Sequence, residues 1–159
     1  MSSVHNKNTK PELLLRHSLW HLGFRYRVND KRLPGSPDIV LPKYRTVIFV
    51  HGCFWHGHKD CKNYTVPKTN TDFWTAKIAR NQQRDQDTWR QLEAKGWNVI
   101  QIWECELKPS VRQATLQRLT YTLSRIELGI IGRKKPKAYD FGDGEPTRMV
   151  ADESREPNL

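Results

Sequence analysis

The sequence of 159 residues lacks the long apolar runs that mark membrane proteins. No stretch approaches the roughly 18 consecutive apolar residues of a spanning helix, and the first ten residues, MSSVHNKNTK, lack the apolar core of a signal peptide. Apolar residues make up only 36% of the chain, and the mean hydropathy is −0.79. These absences argue against a membrane protein and favour a cytoplasmic one with a polar surface.

Cysteine is also scarce, with three in the chain, and an odd number does not make a complete disulfide framework. The absence of a C-x-x-C pair argues against a thioredoxin-like redox role. Cys53, His58 and Cys61 have the spacing C-x4-H-x2-C within HGCFWHGHKDC, residues 51–61, and Cys105 follows a predicted strand. Three thiolates and one imidazole suit a closed tetrahedral zinc site. We therefore predict structural zinc at these four residues, with incidental burial of the cysteines as the alternative.

Acidic residues are outnumbered by basic ones, 17 to 27, which gives a net charge of +10. The excess is uneven, because residues 1–139 carry +14 while the chain from Asp140 onward carries −4. A compact domain with so basic a body is expected to bind a polyanion, of which nucleic acid is the usual one. The alternative is that the charge serves only solubility.

Hydrophobic periodicity predicts an α/β protein with the element order α, β, β, β, α, β, α. The first helix, residues 10–22, follows a capping Thr9 and carries Leu15, Leu19 and Leu22 on one side. The other helices are predicted at 71–95 and 109–128, and the strands at 24–28, 38–41, 45–50 and 97–103. A strand, a crossover helix and a second strand imply a parallel pair. The candidate buried positions of the long helix are Phe73, Trp74, Ile78, Trp89 and Leu92.

The chain length suits a single folded domain, which we place at residues 1–134. The remainder, residues 135–159, is rich in glycine, proline and acidic residues and has little to bury. We expect it to be a disordered acidic tail.

Four sequence motifs together resemble the very-short-patch repair (Vsr) mismatch endonuclease family. They are Pro37-Asp38, the run FVHGCFWH at 49–56 with His58 and Cys61 after it, the pattern Asn81-x-x-Arg84-Asp85, and GWNVIQIWECEL at 96–107. The resemblance runs from about Asn8 to Leu107, and the joint motif is highly specific. It implies a restriction-endonuclease-like core, with a central mixed sheet flanked by helices, that nicks one strand of duplex DNA at a T:G mismatch.

The resemblance also implies Mg²⁺ at the active site, with the structural Zn²⁺ beside it. Asp38 is similar to the family's magnesium-binding aspartate, and the backbone carbonyl of Val50 would be the protein's other ligand for that ion. His51 and His56 match the two catalytic histidines. The sequence does not fix which of them acts as base and which faces the scissile phosphate or leaving group.

Two acidic residues of the implied site have alternative interpretations. Glu12 matches the glutamate that supports the second catalytic histidine, His56, yet Thr9-x-x-Glu12 is also an adequate capping box. Asp85 matches a further acid of the site, although on a long charged helix it can equally form solvated salt bridges. In the catalytic interpretation a neutral His56, held by Glu12, takes a proton from water.

Aromatic and basic residues supply the DNA contacts that the resemblance implies. Phe54 and Trp55 match aromatics that wedge into the base stack beside the mismatch, where apolar side chains kink a duplex. The alternative is that both rings pack over the zinc site. Lys77 and Asn81 match positions that touch the mismatch. On charge alone, phosphate contacts are equally expected from Arg16, Arg80, Arg84 or Lys77.

The sequence departs from the family pattern in three places. Only MSSVHNK precedes the first helix, where family members carry a longer basic arm with a motif resembling R-S-x-N-M that takes part in DNA insertion. Val50 replaces the threonine often found before the first catalytic histidine, a minor change if only the carbonyl binds metal. One extra residue separates His58 from Cys61, which a surface loop tolerates.

Three other functions compete with a mismatch nickase. The first is a related nickase or homing-type nuclease with another DNA target, and the second is a zinc-stabilised DNA-binding module, which would not need the acid and histidine set. The third, a single-strand or RNA binder that stacks bases on Phe54 and Trp55, lacks the strand-face aromatics of such folds. The expected partner is double-stranded DNA. We also expect other mismatch repair proteins as partners and a location in the prokaryotic cytoplasm, at the nucleoid. A monomer is expected because nicking one strand needs only one active site.

Overall fold

The structure, a computed structural model, describes residues 8–131. The expectations for the N-terminal residues 1–7 and for the acidic tail at 135–159 lie outside the described residues. Within residues 8–131, none of the helices is both long and apolar enough to pass through a bilayer.

Helices and strands follow one another in the order predicted from the sequence, which confirms the α/β class. The helices are α1 (Lys10–His21), α2 (Thr71–Ala94) and α3 (Arg112–Glu127), and the strands are β1 (Arg27–Val28), β2 (Ile39–Leu41), β3 (Thr46–His51) and β4 (Asn98–Trp103). Two short 3₁₀ helices, Pro42–Tyr44 and Glu104–Leu107, follow β2 and β4.

The strands form one mixed sheet in the order β1-β2-β3-β4. The first two pairings are antiparallel, whereas β3 and β4 are parallel and are joined by the crossover helix α2. In the parallel pair Val47 lies opposite Val99, and His51 lies opposite Trp103. The C-terminal ends of both strands therefore meet at one edge, the usual place for functional residues in an α/β sheet.

The sheet is covered on both faces, which explains why β3 is apolar at nearly every position. On one face Ile48 packs in a cluster with Leu19 of α1 and with residues of α3. On the other face Phe49 packs in a cluster with Leu92 of α2. Because side chains alternate along a strand, His51 points to the same face as Phe49, toward α2.

Local signals fix both ends of α1. The Oγ1 of Thr9 accepts a hydrogen bond from the N–H of Glu12 (3.4 Å), as the predicted cap requires. The carboxylate of Glu12 in turn accepts from the N–H of Asn8 (2.9 Å). At the other end Gly23 has a φ of 94°, which glycine adopts without strain, and its N–H donates to the carbonyl of Trp20 (3.0 Å).

Three local expectations, one about the length of a strand and two about the burial of helix residues, are wrong. The strand predicted at 24–28 is reduced to Arg27–Val28, with Tyr26 as an isolated bridge. Leu22 is 51% exposed because it caps α1 beyond its last turn. Phe73 is 54% exposed and Trp74 is only half-buried, because the first turns of α2 pack against the loop after β3 and not against the sheet. Trp89, in a later turn, is half-buried but does pack against the cluster of Phe49 and Leu92, as predicted.

Candidate active site and metal site

The loop after β3, residues 52–61, is held by hydrogen bonds within it and to α2. The N–H of His58 donates to the carbonyl of Cys53 (2.8 Å). The side-chain amide of Asn81 on α2 donates to the carbonyl of Trp55 (2.9 Å). Such bonds satisfy backbone groups that a polar loop would otherwise leave to water, so the loop has a defined position against the helix.

Gly57 lets this loop approach α2 closely. Its φ is 62°, and a Cβ at this position would lie 2.5 Å from the side chain of Gln82 and 2.8 Å from that of Ile78. The amide of Gln82 donates to the carbonyls of His56 and Gly57, both at 3.3 Å. Any larger residue would be strained at this φ and would push the loop away from the helix.

The structure brings the four predicted zinc ligands together. Ligand atoms of Cys53, His58, Cys61 and Cys105 all lie within 4.8 Å of one another, and the Nδ1 of His58 is 3.4 Å from the Sγ of Cys105. A tetrahedral zinc ion with ligands at roughly 2.0–2.3 Å holds them roughly 3.5–3.8 Å apart, so this spacing suits such an ion. The His58 ring stacks on Trp103 with centroids 4.1 Å apart, which orients the imidazole.

The thiols of this cluster have unequal environments. Burial raises the pKa of Cys53 to about 12 and also raises the pKa of Cys105. The N–H of Asn63, 3.5 Å from the Sγ of Cys61, lowers the pKa of that thiol. A thiol with a raised pKa gives up its proton at neutral pH only beside a cation, so the donor set fits a bound metal ion better than three free thiolates.

A second group of side chains consists of His51, His56 and Asp85, whose ligand-type atoms also lie within 4.8 Å of one another. The Nδ1 of His56 is 2.6 Å from the Oδ2 of Asp85, and the Nε2 of His51 is 3.9 Å from its Oδ1. The two imidazole rings stack with centroids 3.7 Å apart and 2° between their planes. The lone pairs of parallel rings do not converge on one ion, so this group suits proton transfer better than chelation.

His51 is the more enclosed of the two histidines. Its side chain is 5% exposed, against 25% for His56, and the rings of Trp89 and Trp103 lie 5.9 Å from its own. Burial, followed by the nearby His56, lowers the pKa of His51 to about 4, so the ring is neutral at pH 7. Its Nδ1 lies 2.8 Å from the Nε2 of Gln101 on β4, a residue that sequence reasoning missed.

Glu12 occupies a different place from the one that the resemblance implies. Its carboxylate is buried and pairs with Arg16, with Nη2 and Oε2 3.3 Å apart. Asp85, and not Glu12, is therefore the carboxylate bonded to the Nδ1 of His56. Glu12 instead shares a hydrogen bond with the side chain of Asp38, and Arg16 also donates to the carbonyl of Asp38 (3.3 Å).

Asp38 directly precedes β2 and lies beside the end of β3. The N–H of Val50 donates to its Oδ2 (2.7 Å), and because the N–H and C=O of a strand residue point to the same side, the Val50 carbonyl faces this region too. Burial and the neighbouring carboxylate of Glu12 raise the pKa of Asp38 to about 7, against the lowering effects of the Val50 N–H and Arg16. Two acids and one guanidinium leave negative charge that a divalent cation would balance.

The aromatic residues of the loop join two from α2 in an aromatic cluster formed by Phe54, Trp55, Phe73 and Trp74. Phe54 and Trp55 pack edge to face at 5.2 Å, and both contact Trp74, at 5.5 and 5.9 Å. Phe73 in turn contacts Trp74 at 5.2 Å. The ring that stacks on the metal-site histidine is Trp103. Helical periodicity alone does not distinguish this cluster from a core, so the sequence predicts burial for Phe73 and Trp74 as well.

The basic residues predicted to contact DNA differ in their placement. Lys77 and Asn81 are half-buried and one turn apart on α2, and the Asn81 amide anchors the loop. Arg80 and Arg84 are exposed on the same helix. Arg16 is buried in its ion pair, which argues against the phosphate contact expected of it.

In sequence, the chain is similar to known endonucleases. The family model described as DNA mismatch endonuclease Vsr matches residues 1–63. The chain is 56% identical over 108 residues to the type II nicking enzyme V.NmeAIP of Neisseria meningitidis serogroup A, covering 68% of this chain and 76% of the relative. It is 50% identical over 107 residues to the type II nicking enzyme V.XorIIP of Xanthomonas oryzae pv. oryzae, covering 67% and 78%. It is 44% identical over 108 residues to the DNA mismatch endonuclease Vsr of Escherichia coli strain K12, covering 68% and 69%.

Proposed function

This chain belongs to the Vsr family of DNA endonucleases, and on that premise we propose that it nicks one strand of duplex DNA at a T:G mismatch in a Mg²⁺-dependent reaction. The observation that carries the proposal is the arrangement at the end of β3. Asp38 accepts from the N–H of Val50, and the next residue, His51, stacks on His56, which is bonded to Asp85. A protein that only binds DNA has no need of this set.

Phosphodiester hydrolysis needs an activated water, neutralisation of charge on the phosphoryl oxygens and stabilisation of the leaving oxygen. His56 takes the proton of the attacking water at its Nε2, because the Oδ2 of Asp85 accepts from its Nδ1–H. A carboxylate in this position fixes the tautomer and orientation of the ring and stabilises the imidazolium that forms. The greater exposure of His56 supports this role, since the base must meet water.

The carboxylate of Asp38 would hold the Mg²⁺ ion together with the backbone carbonyl of Val50. Magnesium keeps several of its waters, so two protein ligands suffice. When bound, the ion supplies Lewis-acid polarisation of the phosphoryl oxygens. The negative charge of Glu12 lies beside that of Asp38, and this surplus of negative charge supports the fit of a divalent cation.

The structural Zn²⁺ would be held by Cys53, His58, Cys61 and Cys105. Such an ion would tie the loop that carries His56 to the end of β4, and its binding free energy would become folding free energy. The proximity of the four ligand atoms supports this assignment.

Recognition of the mismatch would use the aromatic cluster. Phe54 and Trp55 would wedge between base steps, and a mismatched pair lowers the cost of unstacking. Lys77 and Asn81 lie on the adjacent turns of α2, and the basic body of the chain favours binding of duplex DNA.

A restriction-endonuclease-like core is the fold that we propose for the mixed sheet and its three helices. We also propose that the protein acts as a monomer in the prokaryotic cytoplasm, at the nucleoid, with other mismatch repair proteins. One active site suffices for nicking one strand.

The test is strand-specific cleavage of an end-labelled duplex, with and without a single T:G mismatch, in Mg²⁺ and again with Mg²⁺ omitted. The proposal predicts a Mg²⁺-dependent nick in one strand of the mismatched duplex alone. Omission is preferable to a chelator, because a chelator would also remove zinc.

A nick in matched and mismatched duplexes alike would support the nuclease activity but show that the target is another DNA sequence. That second candidate is favoured by the names of two relatives, which are type II nicking enzymes. Binding without cleavage under every condition would leave only the non-catalytic module.

A further inference from the structure

Gln101 is the one side chain of β4 that reaches the histidine pair by a hydrogen bond among the described residues. It lies opposite Phe49 in the parallel register, two residues before the pair formed by His51 and Trp103. Its Nε2 is 2.8 Å from the Nδ1 of His51, a distance typical of a hydrogen bond. Gln101 is neither one of the proposed zinc ligands nor the proposed base.

The carboxylate of Asp85 decides the direction of this hydrogen bond. If the amide oxygen of Gln101 faced His51, the Nδ1 would carry the proton and the Nε2 lone pair would face the Oδ1 of Asp85, 3.9 Å away. Lone pair and carboxylate repel, whereas an Nε2–H is attracted to the same oxygen. The amide nitrogen therefore donates to Nδ1, and the proton of His51 stands on Nε2.

The two stacked histidines consequently have complementary protonation. His56 carries its proton on Nδ1, toward Asp85, and has a lone pair on Nε2. His51 has its lone pair toward Gln101 and an N–H on Nε2. At 3.9 Å the Oδ1 of Asp85 is too distant to form a hydrogen bond with that N–H. One ring is thus a hydrogen-bond acceptor and the other a donor.

We propose that Gln101 is a positioning residue that fixes the Nε2–H tautomer of His51, whose N–H binds an oxygen of the scissile phosphate while His56 accepts the proton of water. The water that loses its proton to His56 forms the new P–O bond as the P–O bond to the leaving oxygen breaks. Because His51 keeps its proton, solvent water protonates that leaving oxygen. The inference rests on the proposed nuclease function for its catalytic consequence, but the tautomer itself can be measured without turnover.

The first measurement is the ring-nitrogen spectrum of ¹⁵N-histidine-labelled, zinc-loaded protein without Mg²⁺, with the His51 signals assigned by their loss in His51→Asn. The wild type should show an unprotonated Nδ1 and a protonated Nε2 at His51. Gln101→Met, similar in shape but without a donor, should give a mixture of tautomers, and Gln101→Glu should move the proton to Nδ1. The matched control is Gln91→Glu on the exposed side of α2, which adds the same charge and should leave the spectrum unchanged.

The second measurement is the single-turnover nicking rate on whichever duplex the wild type cleaves, with the dissociation constant for that duplex. Losing one fixed donor to a developing oxyanion costs about 100-fold or more, and a ring that still samples the correct tautomer should lose roughly 10-fold. Gln101→Met should therefore nick roughly 10-fold more slowly with unchanged DNA affinity, and Gln101→Glu should be slower than Gln91→Glu.

A protonated Nδ1 at His51 in the wild type would overturn the proposal whether or not the protein cleaves DNA. So would a full nicking rate in Gln101→Met. If no duplex is cleaved, the nuclease function fails while the ring-nitrogen spectrum still decides the tautomer.

Discussion

Asp38 is held beside a second carboxylate, Glu12, and both face the guanidinium of Arg16. Burial of like charges is costly unless a partner neutralises them. Arg16 neutralises one of the two, and the other stays protonated or recruits a cation. The same pair of carboxylates therefore lowers the stability of the metal-free protein and favours binding of a divalent cation.

Asp38→Asn should make the metal-free protein less sensitive to rising pH. The folded protein keeps the Asp38 proton to about pH 7, whereas the unfolded chain releases it near 3.8. This contribution to stability is fully present below about pH 4 and is lost as the pH rises through 7. Between pH 4 and pH 8 the variant should gain on the wild type by no more than about 4 kcal/mol, at about 1.4 kcal/mol per pKa unit.

The measurement is urea unfolding of zinc-loaded protein without Mg²⁺ across this pH range. Asp87→Asn, an exposed acid on α2, is the control and should follow the wild type. If the free energy of unfolding changed with pH in parallel for Asp38→Asn and wild type, the pKa of the Asp38 carboxyl would not be raised in the folded protein.

The same substitution should abolish nicking while leaving DNA binding largely intact. Asn keeps the shape of the side chain but lacks the charge that a hard cation requires. Single-turnover cleavage and a binding titration on the same mismatched duplex test this prediction. Cleavage at the wild-type rate would remove Asp38 from the site.

Among the elements of the fold, α2 connects the sheet to the candidate active site. Its C-terminal turns place Leu92 in the core, and its middle places Asp85 against His56. Its first turns place Trp74 in the aromatic cluster. The crossover helix that makes β3 and β4 parallel thus also delivers the carboxylate that orients the proposed base.

Cys105→Ser should cost both zinc and stability, because Cys105 is the proposed ligand that would tie the end of β4 to the loop after β3. Structural zinc contributes directly to folding free energy, so the loss should reach several kcal/mol. Elemental analysis and thermal unfolding test this prediction, with chelator-treated wild type as the control. The chelator should destabilise the wild type and have little further effect on the variant, whereas a full complement of zinc in the variant would contradict the assignment.

Trp55→Ala should reduce mismatch discrimination more than general affinity, because a wedge acts where the base stack is already weakened. The measurement is the ratio of dissociation constants for matched and mismatched duplexes. Tyr121→Ala, an exposed aromatic on α3, is the control and should leave the ratio unchanged. Equal losses on both duplexes for Trp55→Ala would show that the ring does not wedge.

For the molecule as a whole, sequence reasoning predicted the order of elements, the parallel pair and the four-residue metal cluster. These depend on local periodicity and on close ligand spacing, such as Cys53 to Cys61, which a short loop cannot separate widely. The resemblance pairs Glu12 with His56, whereas the structure pairs Asp85 with it, because Glu12 and Asp85 lie on different helices whose packing the sequence does not specify.

Other features depended on packing that no local pattern encodes. The contact between Gln101 and His51 arises from the register of β3 and β4, in which a one-residue shift of β4 would turn Gln101 to the face opposite His51. Phe73 fits an apolar helical stripe as well as a core residue does, yet it is exposed because the helix extends over the loop and not over the sheet.

We propose that residues 51–61 serve two separate purposes: Cys53, His58 and Cys61, with Cys105 after β4, hold zinc, while His51 and His56 are kept for hydrolysis. The most direct test is anomalous X-ray diffraction from crystals grown with Mn²⁺ in place of Mg²⁺, with data collected at the zinc and manganese absorption edges. We expect a zinc peak among Cys53, His58, Cys61 and Cys105, a manganese peak at Asp38, and no metal between the stacked histidines. A zinc peak at His51, His56 and Asp85 would contradict this proposal.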